Sequence, residues 1–183
     1  ILLCSLFVWV YGFGTWWMAV IALVVFIAVV YPVLMFAERL EGYSRLLVER
    51  KNGEIKNSLI VVFVMFAAII ALCWGLLDDK LLVFACIFAW GFGDGAAALV
   101  GKGFGRHTLQ GRMIEGSKSV EGSAAMFAVS FLAVIVVLLL RGGLLWYAYI
   151  VISALAALVC TVVELYTRNG MDTITCPLAA AAV

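Results

Sequence analysis

Residues 15–37 run without a single charged side chain. A bilayer core about 30 Å thick is crossed by roughly 20 apolar residues in a helix, so a run of this length defines the class of protein. Further apolar runs occupy residues 58–77, 81–100, 124–140 and 144–166. Composition agrees: 67% of residues are hydrophobic and 13% charged, against about 45–50% and 25% in an ordinary soluble domain. The chain therefore reads as one integral membrane domain over residues 1–183. The fold class expected is an all-α polytopic transmembrane helical bundle. It has five full spans, with truncated spans at residues 1–11 and 178–183. No cleaved signal peptide is expected, because no basic stretch precedes the first apolar run. The lipid bilayer is the first expected partner, and no nucleic acid is expected.

Between the spans lie three polar loops, 38–57, 101–121 and 167–177, and tight turns at Gly12-Phe13-Gly14, Asp78-Asp79-Lys80 and Arg141-Gly142-Gly143. Alternating the spans puts all three loops on one face, and ten of the twelve Lys and Arg residues go with them; Lys80 and Arg141 lie on the other. By the positive-inside rule the loop face is cytoplasmic. Within the first loop, Leu40, Tyr43, Leu46 and Leu47 recur at helical spacing, so this segment is expected along the membrane surface. Trp9, Tyr11, Trp16 and Trp17 read as an interfacial aromatic belt, and Pro32 as a kink in its span. The five cysteines have neither metal-ligand nor disulfide-framework spacing and read as small buried apolar residues.

Chemistry concentrates on the loop face. Asp94, between Gly93 and Gly95, stands inside an apolar run, where a carboxylate costs at least about 2.5 kcal/mol unless paired, solvated or metal-bound. It is either a packing partner for a nearby polar group or a site carboxylate that flanking glycines let a ligand approach. Glu164 is open in the same way between a structural hydrogen bond and a site role, and Asp172 between a turn acid and a site acid. Gly101-Lys102-Gly103-Phe104-Gly105-Arg106 is not a Walker A loop, because Gly95 is five residues from Gly101 and Lys102 is followed by Gly. It is not a dinucleotide fingerprint either. Its bare amides, with Lys102 and Arg106, suit an anion; the alternative is a flexible basic loop. In residues 116–123, Ser119 is placed to start the next helix, whose N-terminus with Lys118 suits phosphate. Glu121 is either a dipole-compensating acid or a metal ligand. His107, the lone histidine, reads as an incidental surface residue more readily than as a base.

Asp94-x-x-Ala97-x-x-x-Gly101-x-x-x-Gly105, then Lys118-Ser119-x-Glu121-Gly122-Ser123, then Glu164 with Asp172-Thr173-x-x-Cys176-Pro177, resemble the CTP-dependent polyprenol kinase family. That family includes phytol, farnesol and dolichol kinases and yeast-type diacylglycerol kinase. The likeness covers residues 90–178, and Gly53-Glu54-Ile55 resembles a looser family feature. An early Arg-Lys-x-x-His feature of several members is not seen. The related phosphatidate cytidylyltransferases carry His-Gly-Gly and Asp-Arg-x-Asp signatures; here Arg168-Asn169-Gly170-Met171-Asp172 stands instead, which favours a kinase.

The resemblance implies transfer of the γ-phosphoryl of CTP to the hydroxyl of a membrane lipid: phytol, geranylgeraniol, a polyprenol or diacylglycerol. It implies Mg²⁺ at Asp94 and Asp172, with Glu121 a third candidate. Lys102, Lys118 and the amides of Gly95, Gly101, Gly105 and Gly122 would bind the triphosphate, alongside Ala97, Arg106, Ser119 and Thr173. Either Asp94 or Asp172 would take the hydroxyl proton. Glu54, Asn57 and Thr173 are candidates for cytosine selection, and Glu164 is an accessory. Two other readings stand beside it: a CDP-lipid synthase, and a small transporter subunit whose Asp94 lines an ion path.

Overall fold

The computed structural model describes residues 2–37, 54–109, 118–167 and 171–183. The surface segment expected at residues 38–53 lies outside these. Seven helices form among the described residues. They are α1 (Leu2–Tyr11), α2 (Trp16–Ala37), α3 (Glu54–Ile69), α4 (Lys80–Phe104), α5 (Val120–Arg141), α6 (Trp146–Tyr166) and α7 (Asp172–Ala181). A π-helical stretch, Ile70–Leu76, carries α3 onward. Five of these segments are long and apolar enough to cross a membrane. Between α4 and α5, β1 (Thr108–Leu109) pairs antiparallel with β2 (Lys118–Ser119), Thr108 opposite Ser119.

Three helix boundaries differ from the sequence reading by four residues or more. The helix begins at Glu54 rather than residue 58, α4 continues to Phe104 rather than about residue 100, and α7 begins at Asp172 rather than residue 178. The glycines at 101 and 103 cost about 1 kcal/mol each in helical propensity, but packing of α4 on α5 outweighs it. Asp172 complements the dipole at the start of α7, and Pro177 forfeits one backbone bond there. Pro32 likewise lies inside α2, which runs through it to Ala37.

The α4–α5 crossing is the most extensive helix pairing in the bundle. Gly93, Ala97, Gly101 and Gly105 fall four residues apart and so share one face of the chain as it leaves the membrane. Opposite stand Gly122, Met126 and Ser130. A Cβ on Gly93 would come 2.2 Å from Ser130 Oγ, and one on Gly122 would come 3.0 Å from the Ala97 carbonyl. Small residues let two backbones approach this closely in lipid, where dispersion and interhelical hydrogen bonds hold helices together. Ser130 uses the approach: its hydroxyl donates to the Ala89 carbonyl at 2.6 Å.

At the far end of this pair, Asp79 caps α4 by accepting from the Leu81 and Leu82 amides at 2.9 and 3.3 Å. The Arg141 guanidinium at the end of α5 donates to the same carboxylate. The ends of α4 and α5 are thus tied together by a cap and an ion pair. Lys80 lies 4.0 Å from the centre of the Trp74 ring. Tyr11, Trp16 and Trp17 are exposed, as a belt requires, but Trp9 turns inward against Phe13, Phe26 and Phe63. Cys73, Cys86, Cys160 and Cys176 are buried free thiols; Cys4 is exposed.

Candidate functional site

The polar end of α4 opens onto a cavity of about 420 Å³. Asp94, Ala98 and Lys102 stack on one face of α4 at four-residue spacing, with Ala97, Gly101 and Gly105 beside them on the wall. Thr108 on β1, Lys118 and Ser119 on β2, and Gly122 and Ser123 in the first turn of α5 form the second side. Glu164, in the last turn of α6, completes it. Segments seventy residues apart (94 to 164) therefore meet around one space.

Asp94 is half-buried, and among the described residues no hydrogen bond or ion pair engages its carboxylate. The charges whose fields reach it are Asp172, Glu164 and Lys118. The Lys118 ammonium donates to Glu164 Oε1 at 2.9 Å and also to the Glu164 main-chain oxygen. Ser119 is the N-cap of α5, its buried hydroxyl accepting from the Gly122 amide at 3.1 Å; the expected helix start is where the sequence placed it. Ser123 Oγ donates back to the Ser119 carbonyl.

Several expected contributions take another form. The amides of Gly101 and Gly105 do not make a loose cradle: α4 continues through Gly101, and the Gly105 amide bonds the Gly101 carbonyl at 3.2 Å. These glycines serve the close crossing with α5 instead. Gly95 faces open space, with nothing within 4 Å of where its Cβ would be. Glu121 turns to His107, accepting from its main-chain amide at 3.2 Å and meeting Nδ1 at 2.7 Å. That pair fastens β1 to the start of α5 and gives His107 a structural role that its exposure alone concealed. Arg106 is exposed and off the cavity wall. Asp172 and Thr173 occupy the first turn of α7, outside the cavity lining, with Asp172 close enough for its charge to reach Asp94. Asn57 is exposed in the first turn of α3; the side chain of Glu54 is outside the described part. Ala98 and Thr108 line the cavity without having been singled out, and Ser123, named only as the end of the Lys118–Ser123 motif, lines it too. Ala98 was recoverable as Asp94 plus four, whereas Thr108 depends on strand pairing that a two-residue strand does not announce.

Among the described residues, no three His, Cys, Asp or Glu side chains cluster closely enough to hold a metal by themselves. Mg²⁺ bound with a nucleotide takes one or two carboxylates and completes its octahedron with phosphate and water oxygens. Asp172, whose field reaches the unengaged Asp94 carboxylate, fits that kind of site as one carboxylate ligand beside phosphate oxygens, with Asp94 the second candidate.

Over 97 residues the chain is 36% identical to the phytol kinase of Synechocystis sp.. The chain is similar to a phytol kinase. The matched stretch makes up 53% of this chain and 40% of that relative, so the chain covers well under half of the relative's length. No protein-family model matches the chain, and no solved structure matches it.

Proposed function

We propose that this chain is a lipid-alcohol kinase that transfers the γ-phosphoryl of CTP to the hydroxyl of a membrane isoprenoid alcohol, on the cytoplasmic face. The observation that carries this reading is the meeting of Asp94, Lys102 and Lys118 around one cavity at the polar end of an apolar bundle. The similarity to a phytol kinase supports the choice of an alcohol acceptor. The gathering of Lys and Arg in the loops on this face supports the cytoplasmic side.

Phosphoryl transfer asks a protein for positioning and charge neutralisation more than for covalent chemistry. Lys102 and Lys118 bind the polyphosphate from opposite walls. Asp94 lines the cavity and Asp172 stands outside it, so Asp94 meets the lipid hydroxyl, aligns its oxygen with the γ-phosphorus and accepts its proton. Asp172, with phosphate oxygens, would hold Mg²⁺, which when bound neutralises charge on the transferring group. The apolar flanks of α4 and α5 keep the isoprenoid tail in the bilayer while the hydroxyl reaches the polar end. Ser119, the buried N-cap of α5, packs against Gly101 across the crossing and so holds the adjacent Lys118 at the wall.

The test is a donor and acceptor screen in nanodiscs with γ-labelled CTP, ATP and GTP. Label appearing in phytol or geranylgeraniol with release of CDP is the expected result. Labelled pyrophosphate, or label in no lipid with any donor, contradicts the proposal.

A further inference from the structure

The two lysines on the cavity wall are not equivalent. Lys102 is exposed, and among the described residues no ion pair engages it. Lys118 is held twice by a single residue, through the Glu164 carboxylate at 2.9 Å and the Glu164 main-chain oxygen, with both side chains largely shielded from solvent. Glu164 lies in the last turn of α6 (Trp146–Tyr166), where main-chain carbonyls outrun the helix's own amides and attract a cation. A phosphate entering the cavity therefore finds one of its two cations already neutralised.

We propose that Glu164 is a positioning residue that keeps Lys118 in reserve, and that polyphosphate binds by exchange: a phosphate oxygen replaces the Glu164 carboxylate on the ammonium. The α6 carbonyl keeps its contact throughout and holds Nζ at the wall. This rests on reading the cavity as a nucleotide phosphate site. Exchange leaves Glu164 without its counter-charge, in a region where the fields of Glu164 and Asp172 both reach Asp94. A divalent cation arriving with the phosphate relieves that crowding, so the exchange couples polyphosphate binding to the cation. Glu164 thus disfavours a polyphosphate that comes without its metal.

Inorganic triphosphate is the probe, titrated by calorimetry into the protein in nanodiscs with and without Mg²⁺. Without Mg²⁺, Glu164→Gln is expected to bind it roughly tenfold more tightly than wild type, the effect of removing one competing charge worth about 1.4 kcal/mol. With Mg²⁺ the two converge. Adding Lys118→Met to Glu164→Gln abolishes the gain, and Glu164→Asp, which keeps the charge, behaves like wild type. A purely structural Glu164 predicts weaker binding in Glu164→Gln with and without Mg²⁺ alike, and that result, or equal affinity without Mg²⁺, overturns the exchange. Thermal melting of each variant shows that it is folded. If wild type binds neither Mg²⁺-triphosphate nor Mg²⁺-CTP, the phosphate-site reading fails with it; if wild type binds both and Glu164→Gln shows no gain, the exchange alone fails.

Discussion

Asp94 and Asp172 sit within each other's field but in different settings, one on the cavity wall and one in the first turn of a helix outside that wall. The two carboxylates are therefore separable by substitution. Asp94→Asn removes the proton acceptor and is expected to lower turnover by about 10²–10⁴-fold, the usual contribution of a positioned base, with an unchanged Mg²⁺ requirement. Asp172→Asn is expected to raise the Mg²⁺ concentration for half-maximal rate. Steady-state rates across a Mg²⁺ series check both, and a shifted Mg²⁺ requirement in Asp94→Asn would exchange the two roles. At this scale the sequence was informative about charged residues and poor about glycines. An acid inside an apolar run, or a lysine next to a helix start, announces itself by its solvation cost. Gly101 and Gly105 look the same whether they expose amides to an anion or admit a neighbouring helix, and only the position of Ser119 and Gly122 across the crossing decides it.

At the scale of elements, the α4–α5 crossing and its far-end tie determine where the cavity walls stand. Gly93→Ala places a methyl against Ser130 and Met126 and is expected to destabilise the bundle by about 1–3 kcal/mol, the usual cost of overpacking. Gly95→Ala, two residues on and facing open space, is expected to stay within about 0.5 kcal/mol of wild type. Denaturant titration in mixed micelles separates them, and equal effects would contradict the packing. The Asp79–Arg141 tie adds a pH dependence. Burial pushes the Asp79 carboxyl up, but the Arg141 guanidinium and the Leu81 and Leu82 amides outweigh it and hold the carboxyl below its usual range. Its stabilisation is thus fully present above the ordinary carboxylate pKa and is lost as pH falls through the depressed folded value. Thermal melts of wild type should fall over that acidic window by about 1 kcal/mol or less, and Asp79→Asn should remove that part of the slope. The spans themselves were legible from run length alone. Their ends were not, because a Gly-rich stretch such as 101–104 has low intrinsic helicity and takes its helical form from α5, a partner that periodicity cannot show.

For the whole molecule, alternation of spans puts Asp94, Lys102, Lys118, Glu164 and Asp172 at one end and Asp79 and Arg141 at the other. With Cys4, the exposed native thiol, replaced by serine, a membrane-impermeant thiol reagent should label His107→Cys from the cytoplasmic side and Leu145→Cys from the opposite side. The reverse pattern would invert the proposed orientation. The order of polar patches along the chain could be read from the sequence. Their convergence on one triphosphate is what the resemblance implies, and the cavity gathers Asp94, Lys102, Lys118 and Glu164; which helices stand as neighbours to bring them together could not be read from the sequence. That convergence is tested most directly by equilibrium binding of Mg²⁺-CTP to wild type, Lys102→Met, Lys118→Met and the double variant in nanodiscs free of lipid alcohol. Each single substitution should weaken binding by tenfold or more, as each removes about 1.4 kcal/mol or more, and the double-mutant cycle should show coupling between the two lysines. Affinity unchanged by either substitution, or no binding to wild type, would mean that the two walls do not share one phosphate chain.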